Sequence, residues 1–210
     1  LVVDRSGSMN EIDPTTNRLK KEEQQLAGFL TLDGINAFSY KTAAAARQDL
    51  LISPLSVRTG VVAFQGRSAD TVKAPSGTWT PKEQYEVWSK MESNVGGGTP
   101  AHLGLIKIRA EIERLRQSDK KSKNQFLQKS RLQVVMVFMD GGVDDEVAYL
   151  AEQKKLEDMG VYVSSWGMTE SARTVEAYPN GHCVPSARQM IDPVAKYIVE
   201  KAQQLKLRQG

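Results

Sequence analysis

Uninterrupted apolar runs and helical apolar stripes follow one another along the chain. Residues 134–139 (VVMVFM) are apolar throughout, which is typical of a central parallel strand covered on both faces. Shorter apolar runs predict three more strands, at 1–4, 57–64 and 161–168. A further short strand at 70–77 follows 57–64 so closely that the two form a hairpin at the edge of the sheet.

The segments between these runs have the spacing and the end signals of helices. The clearest stripe advances by steps of four, three, four and three residues through Ala101, Leu105, Ile108, Ile112 and Leu115. Other helices are predicted over 18–51, from Pro81 onward, over 144–159 and over 192–207.

Local signals predict where these helices are interrupted, begin and end. Asp33-Gly34 is a turn signal, so we expect the helical region 18–51 to be interrupted near 31–34. Thr80, Pro81 and Glu83 have the spacing of a helix N-cap, a first-turn proline and a capping box. The polar segment 118–125 (SDKKSKNQ) is predicted to be a loop.

Strands that alternate with helices predict an α/β fold. We expect it to be doubly wound, with a mostly parallel central sheet, one antiparallel edge strand and helices on both faces. The 210 residues suit a single domain, 1–210, and a composition of 40% hydrophobic and 25% charged residues excludes a disordered or fibrous chain. Because the first residues already have strand character, we expect the domain to be excised from a longer protein.

Charge and cysteine content narrow the class of protein. The net charge of +3 is smaller than that of a dedicated nucleic-acid binder. Cys183 is the only cysteine, so no internal disulfide can form, which favours a reducing compartment. The longest apolar run is too short to cross a bilayer and no export leader is visible. We therefore expect a cytoplasmic protein without a membrane span.

Oxygen-bearing side chains follow two of the predicted strands. Asp4, Ser6 and Ser8 stand at every second position after the first strand, and an extended loop presents such positions on one side. Asp140 ends the central strand, and Thr99 opens a helix after three glycines. Because ligands of open α/β sheets bind at the carboxyl ends of the strands, we expect these loops to converge. Two carboxylates and three hydroxyls suit Mg²⁺ or Mn²⁺.

This pattern resembles the metal-ion-dependent adhesion site of von Willebrand factor A domains, which consists of Asp-x-Ser-x-Ser, a Thr and an Asp. The segments that carry the resemblance are DRSGSM (4–9), GGTP (97–100) and VMVFMDGG (135–142), and the order of elements is similar from Leu1 to about Leu207. The resemblance implies a Rossmann-like fold and a bound Mg²⁺, with Mn²⁺ or Ca²⁺ as alternatives. It also implies five metal ligands: Asp4, Ser6, Ser8, Thr99 and Asp140.

The same resemblance implies a binding module rather than an enzyme. In the family, a Glu or Asp of a partner protein completes the coordination of the ion. Intracellular members often act beside AAA+ ATPases, kinases or phosphatases, so these are the partner classes implied. We place five residues at the rim that a partner contacts: Arg5, Gly98, His102, Gly141 and Asp144.

One departure from the family lies after the last aspartate. The family often has DGxP-like residues there, whereas this chain has DGGVD at 140–144. This difference concerns the shape of the loop more than the binding of the metal.

Two other functions stay open. Asp4 would be the nucleophile of a Mg²⁺-dependent phosphotransfer enzyme, but the Asp-x-Asp of haloacid-dehalogenase-like phosphatases has Ser6 as its second position here, which leaves no general acid. An RNA-associated role rests on the basic segment 120–131 alone, which lacks interleaved aromatic residues and is otherwise a solvated loop. We do not expect nucleic acid as a partner.

Simpler structural roles exist for the same residues. The oxygens of 4–8 can cap a turn, the metal site can be degenerate, and Thr99 before a proline can be a helix N-cap. The acidic residues 144–146 suit a helix N-terminus. His182-Cys183 hints at a nucleophile or a soft metal but has no visible orienting partner, and the three tryptophans are interpreted as core or rim packing.

Overall fold

A computed structural model describes residues 1–48, 57–77, 79–92, 95–122 and 131–209. Within these ranges the chain forms a sheet of six strands. The strands are β1 (Val2–Asp4), β2 (Thr59–Gln65), β3 (Ser68–Ser76), β4 (Val134–Phe138), β5 (Tyr162–Met168) and β6 (Gly181–Val184).

The strands lie in the order β3-β2-β1-β4-β5-β6. Neighbours pair in parallel except β2 and β3, which form an antiparallel hairpin at one edge. The predicted mostly parallel sheet with one antiparallel edge strand is therefore confirmed. The sequence analysis missed β6, because a four-residue segment containing a glycine and a histidine (GHCV) has no clear strand pattern.

Helices cover both faces of the sheet. They are α1 (Lys20–Gln48), α2 (Pro81–Glu92), α3 (Ala101–Lys121), α4 (Glu146–Asp158) and α5 (Ile191–Gln209). Buried residues of α3 and α4 pack on one face, and those of α1, α2 and α5 pack on the other. This arrangement confirms the doubly wound α/β fold. Among the described residues, no helix has the combined length and apolar character that a membrane crossing needs.

The central strand β4 shows why its sequence is apolar without interruption. Val135 and Val137 pack against α3 and α4, whereas Met136 and Phe138 pack on the side of α1 and α5. All four side chains are at most 4% exposed. Because successive strand residues point to opposite faces, a strand covered on both sides needs apolar residues at every position.

Two predicted boundaries are wrong. Helix α1 continues through 31–34, because Leu32 on its buried side is 1% exposed and packs in a cluster with Val3 and Trp88. Such packing outweighs the cost of Gly34 in a helix, about 1 kcal/mol. The predicted loop 118–125 begins too early, since α3 extends to Lys121, where the helix dipole favours cations. Residues 123–130 lie outside the described part of the chain.

The predicted capping box at the start of α2 is confirmed. The Thr80 N–H donates to Glu83 Oε2 at 2.9 Å, and the Glu83 N–H donates to Thr80 Oγ1 at 3.3 Å. The backbone N–H of Thr80 and the ammonium of Lys73 hold the pKa of Glu83 at about 2, well below its usual value. Two backbone donors at the start of α2, the N–H groups of Thr80 and Glu83, are thereby satisfied.

Substituting Thr80→Ala removes the hydroxyl that caps α2. We expect the free energy of unfolding to fall by about 1 kcal/mol, because one N–H of the first turn loses its acceptor. Urea denaturation of the parent and of Thr80→Ser, which keeps the hydroxyl, gives the comparison. Equal stability of all three proteins would contradict a stabilising role of this cap.

Candidate metal site

The site lies at the carboxyl ends of the two central strands. β1 and β4 are parallel neighbours, and the chain continues from them to opposite edges of the sheet. Asp4 is the last residue of β1, and Asp140 comes two residues after the end of β4. This is the position where strand order reverses and where open α/β sheets bind their ligands.

Hydrogen bonds join four of the five predicted metal ligands. The Ser6 N–H donates to Asp4 Oδ1 at 2.7 Å, and Ser6 Oγ lies 3.0 Å from Ser8 Oγ. The Ser8 hydroxyl in turn donates to Asp140 Oδ1 at 3.2 Å. Two serines therefore connect a carboxylate on β1 with a carboxylate after β4, so the predicted convergence of the two loops is confirmed. The predicted extended loop is wrong at Ser8, because Gly7–Asn10 forms a short 3-10 helix.

A glycine-rich loop is held against this group through the backbone. The Gly7 N–H donates to the Gly97 carbonyl at 2.8 Å, and the Gly96 N–H donates to the Arg5 carbonyl at 2.9 Å. These bonds fix the loop that carries Thr99 beside the Asp-x-Ser-x-Ser segment.

Thr99 is nearby, but its hydroxyl is not part of the network. Its carbonyl accepts from the Asp144 N–H at 3.1 Å, whereas no hydrogen bond links its hydroxyl to the other four ligands within the described ranges. Helix α3 begins at Ala101 with Pro100 as its N-cap, so the alternative that Thr99 is the N-cap is wrong. The structure places Thr99 next to the site without assigning it a side-chain partner.

Asp4 has the properties of a carboxylate that needs a cation. It is 1% exposed, and its Oδ2 is buried without a hydrogen-bond partner. Burial raises its pKa from 3.8 to about 7, and the charges of Asp140 and Asp144 add to this rise, while bonds from Ser6 oppose it. An orphaned carboxylate oxygen of this kind fits a divalent ion, because the ion would replace the lost hydration.

The donor set also limits which ion fits. No group of three or more His, Cys, Asp or Glu side chains suited to a metal occurs in the portions of the chain that the structure describes. An ion here would depend on two carboxylates, hydroxyls and water. Such a set suits Mg²⁺ or Mn²⁺ and does not suit structural zinc.

Three residues around the site were missed by the sequence analysis. Lys20 Nζ lies 3.0 Å from Asp140 Oδ2 and 2.8 Å from Glu11 Oε2. The Gln24 amide donates to the Asp4 carbonyl at 2.6 Å. No spacing rule identifies them, because Lys20 and Gln24 reach the site through the packing of α1, and Glu11 lies in the loop against which this helix begins.

The five predicted rim residues belong to the loops after β1, before α3 and after β4 and to the first turn of α3. A Cβ on Gly98 would come within 2.3 Å of Asp144 Oδ2, so the two residues are in close contact. Arg5 Nε is buried without a partner, and burial lowers the pKa of its guanidinium. His102 is half-buried in the first turn of α3, and Gly141 directly follows Asp140. Their contact with a partner stays a prediction.

Three other features have the simple structural roles that the sequence analysis offered for them. Asp145 is the N-cap of α4 and accepts from the Ala148 N–H at 2.8 Å. His182 stacks on Trp166 with 4.3 Å between ring centroids, and the Cys183 thiol donates to the Thr169 carbonyl. The three tryptophans are buried, as core packing requires.

The raised pKa of Asp4 predicts how stability depends on pH without metal. Between pH 3.8 and about 7 the folded state holds a proton that the unfolded state has lost, so the free energy of unfolding falls as pH rises through this window. We expect the free energy of unfolding of the parent to fall over this window relative to that of Asp4→Asn. Urea denaturation in EDTA from pH 4 to 8 measures both proteins. A difference between the two proteins that stays constant over this range would contradict the shift.

Comparisons by sequence and by structure give different results. No protein-family model and no curated protein matches the sequence. Solved structures do match. Proximal thread matrix protein 1 from the mussel byssus is 16% identical with a TM-score of 0.53, and the match covers 96% of this chain and 46% of that one.

Two further solved structures are similar. The pilus adhesin SpaC from Lactobacillus rhamnosus GG is 15% identical with a TM-score of 0.56, covering 95% of this chain and 30% of the adhesin. The manganese-loaded TRAP protein of Plasmodium vivax is 14% identical with a TM-score of 0.55, covering 87% of this chain and 63% of that protein. The matches thus span less than two thirds of each neighbour. At these identities the likeness shows the fold alone, which is consistent with the Rossmann-like von Willebrand factor A fold that the sequence resemblance implied.

Proposed function

We propose that this chain is a divalent-metal-dependent protein-interaction module and not an enzyme. The observation that carries the proposal is the Asp4 carboxylate: its Oδ2 is buried without a partner, while its Oδ1 is connected through Ser6 and Ser8 to a second carboxylate. Asp4, Ser6, Ser8 and Asp140 would hold the ion, and Thr99 would join them from the glycine-rich loop that pairs with Arg5 and Gly7. Mg²⁺ is the proposed ion, with Mn²⁺ or Ca²⁺ as alternatives.

The bound ion would supply a positive centre that accepts a carboxylate oxygen. With two protein carboxylates and neutral hydroxyls as ligands, a divalent ion keeps a position for water or for an incoming Glu or Asp. We propose that a partner protein provides that acid, and that Arg5, Gly98, His102, Gly141 and Asp144 form the rim around it. An AAA+ ATPase, a kinase or a phosphatase is the proposed class of partner, and the cytoplasm is the proposed location, which rests on the single cysteine.

The two alternatives have less support. A phosphotransfer enzyme needs a general acid beside Asp4, and the side chain bonded there belongs to Ser6, a poor proton donor. For RNA binding, Lys120 and Lys121 lie in the last turn of α3, about 30 Å along the helix from the metal site. A basic surface at that end would not use the metal site.

Metal-dependent capture tests the proposal. The chain and its Asp4→Asn variant are immobilised and exposed to a lysate of the source organism with Mg²⁺ or with EDTA. We expect a protein that the parent retains in Mg²⁺ only, that Asp4→Asn does not retain, and that loses binding when one of its own acids is substituted. Asp145→Asn, a matched change outside the site, is expected to retain it. Equal retention in EDTA would contradict the proposal.

A further inference from the structure

The ammonium of Lys20 lies among the candidate metal ligands. Its Nζ is 3.0 Å from Asp140 Oδ2 and 2.8 Å from Glu11 Oε2, and its side chain is only 15% exposed. Asp140 is 11% exposed, so this ion pair is largely removed from water. The oxygen that Lys20 contacts is the one not used by Ser8, which donates to Oδ1.

The position of Lys20 on its own helix is unfavourable for a cation. Lys20 is the first residue of α1, where the unpaired N–H groups and the helix dipole repel positive charge. Its backbone N–H donates to the Glu11 carbonyl at 3.0 Å, which fixes the start of the helix against the loop after β1. The two carboxylates therefore hold the ammonium at the site against the field of its own helix.

Resting on the function proposed above, we propose that Lys20 is a resident cation that competes with the divalent ion for Asp140 and thereby sets the metal affinity of the site. An ammonium and a divalent ion repel each other at contact distance, so direct binding of the ion to Asp140 requires Nζ to leave Oδ2. Glu11 remains as its acceptor after this displacement. The competition weakens metal binding, and it leaves Asp140 paired when no ion is bound.

Substitution of the lysine separates this competition from general charge effects. Mg²⁺ is titrated by calorimetry into the parent, Lys20→Met, Lys20→Arg and Lys21→Met. Lys21→Met removes the same charge one residue away, and Lys21 has no ion pair at the site within the described ranges. We expect Lys20→Met to bind Mg²⁺ about tenfold more tightly than Lys21→Met, and Lys20→Arg to stay close to the parent.

Thermal unfolding gives a second readout that needs no partner. In EDTA, Lys20→Met is expected to melt below the parent, because Asp140 loses its counter-ion, and saturating Mg²⁺ is expected to raise its Tm by more than it raises the parent's. If the parent binds Mg²⁺ but Lys20→Met and Lys21→Met bind it equally, the proposed competition by Lys20 is wrong, and the proposed metal site is not contradicted. If none of the four proteins binds Mg²⁺, both the competition and the proposed function are wrong.

Discussion

Replacing Asp4 by asparagine is expected to stabilise the metal-free protein at pH 8 and to abolish its metal binding. Ionising a buried carboxylate whose pKa rises from 3.8 to about 7 costs the folded state of the order of 4 kcal/mol at that pH. The asparagine Oδ1 still accepts from the Ser6 N–H, but its amide takes the place of the unpartnered Oδ2, which costs about 1–3 kcal/mol. The net gain we expect is therefore about 1–3 kcal/mol.

Asp4→Asn is expected to lower the affinity for metal although it raises stability. Loss of residues that merely orient ligands already lowers metal affinity by about 10–100-fold, so loss of a ligating carboxylate should exceed about 100-fold. Urea denaturation in EDTA and calorimetry with Mg²⁺ measure the two effects. Asp145→Asn is the control, because asparagine is an equally good N-cap for α4. A variant that loses stability without metal and still binds Mg²⁺ as tightly as the parent would show that Asp4 has a purely structural role.

Gly97→Ala is expected to lower the free energy of unfolding by about 3 kcal/mol. Gly97 has a φ of +77°, where a side chain costs about 1–2 kcal/mol. A Cβ there would also lie 2.5 Å from the Cα of Gly66, a backbone atom that cannot move aside as a flexible side chain would. Forcing such contacts apart costs about 1–3 kcal/mol more.

The neighbouring glycine provides the control. A Cβ on Gly96 meets nothing within 4 Å, and its φ is not in the positive range, so we expect Gly96→Ala to change stability by less than about 0.5 kcal/mol. Because the loop also carries Thr99, Gly97→Ala should weaken Mg²⁺ binding as well. Equal urea midpoints for the two variants would show that the loop does not need the close approach of Gly97 to Gly66.

Local sequence signals predicted an element correctly where a single physical constraint determined its structure. The apolar run of β4 reflects burial on both faces, and the Thr80–Glu83 spacing reflects the needs of the first turn of α2. Helix α1 is not interrupted near Gly34, because Leu32 packs in the core. This is a tertiary contact, and a local turn signal in the sequence carries no information about it. The short strand β6 is likewise formed by pairing with β5 rather than by its own propensity.

In the candidate site, too, some residues could be predicted from local sequence signals and others could not. The convergence of Asp4, Ser6, Ser8 and Asp140 could be predicted because strand ends meet at one edge of a parallel sheet, and their role as metal ligands stays a prediction. Lys20 and the carboxylate of Glu11 could not, since their approach depends on where α1 begins and how it packs. The hydroxyl of Thr99 was expected to join the group because its loop opens a helix at the same edge, and the structure gives it no hydrogen bond to the other ligands in the described ranges.

Calorimetric titration of Mg²⁺ and Mn²⁺ into this chain and into Asp4→Asn tests the central claim most directly. We expect saturable binding of one ion in the millimolar range or tighter to the parent, and none to the variant. Absence of binding to the parent, or equal binding to both proteins, would contradict the assignment of a metal site to these loops.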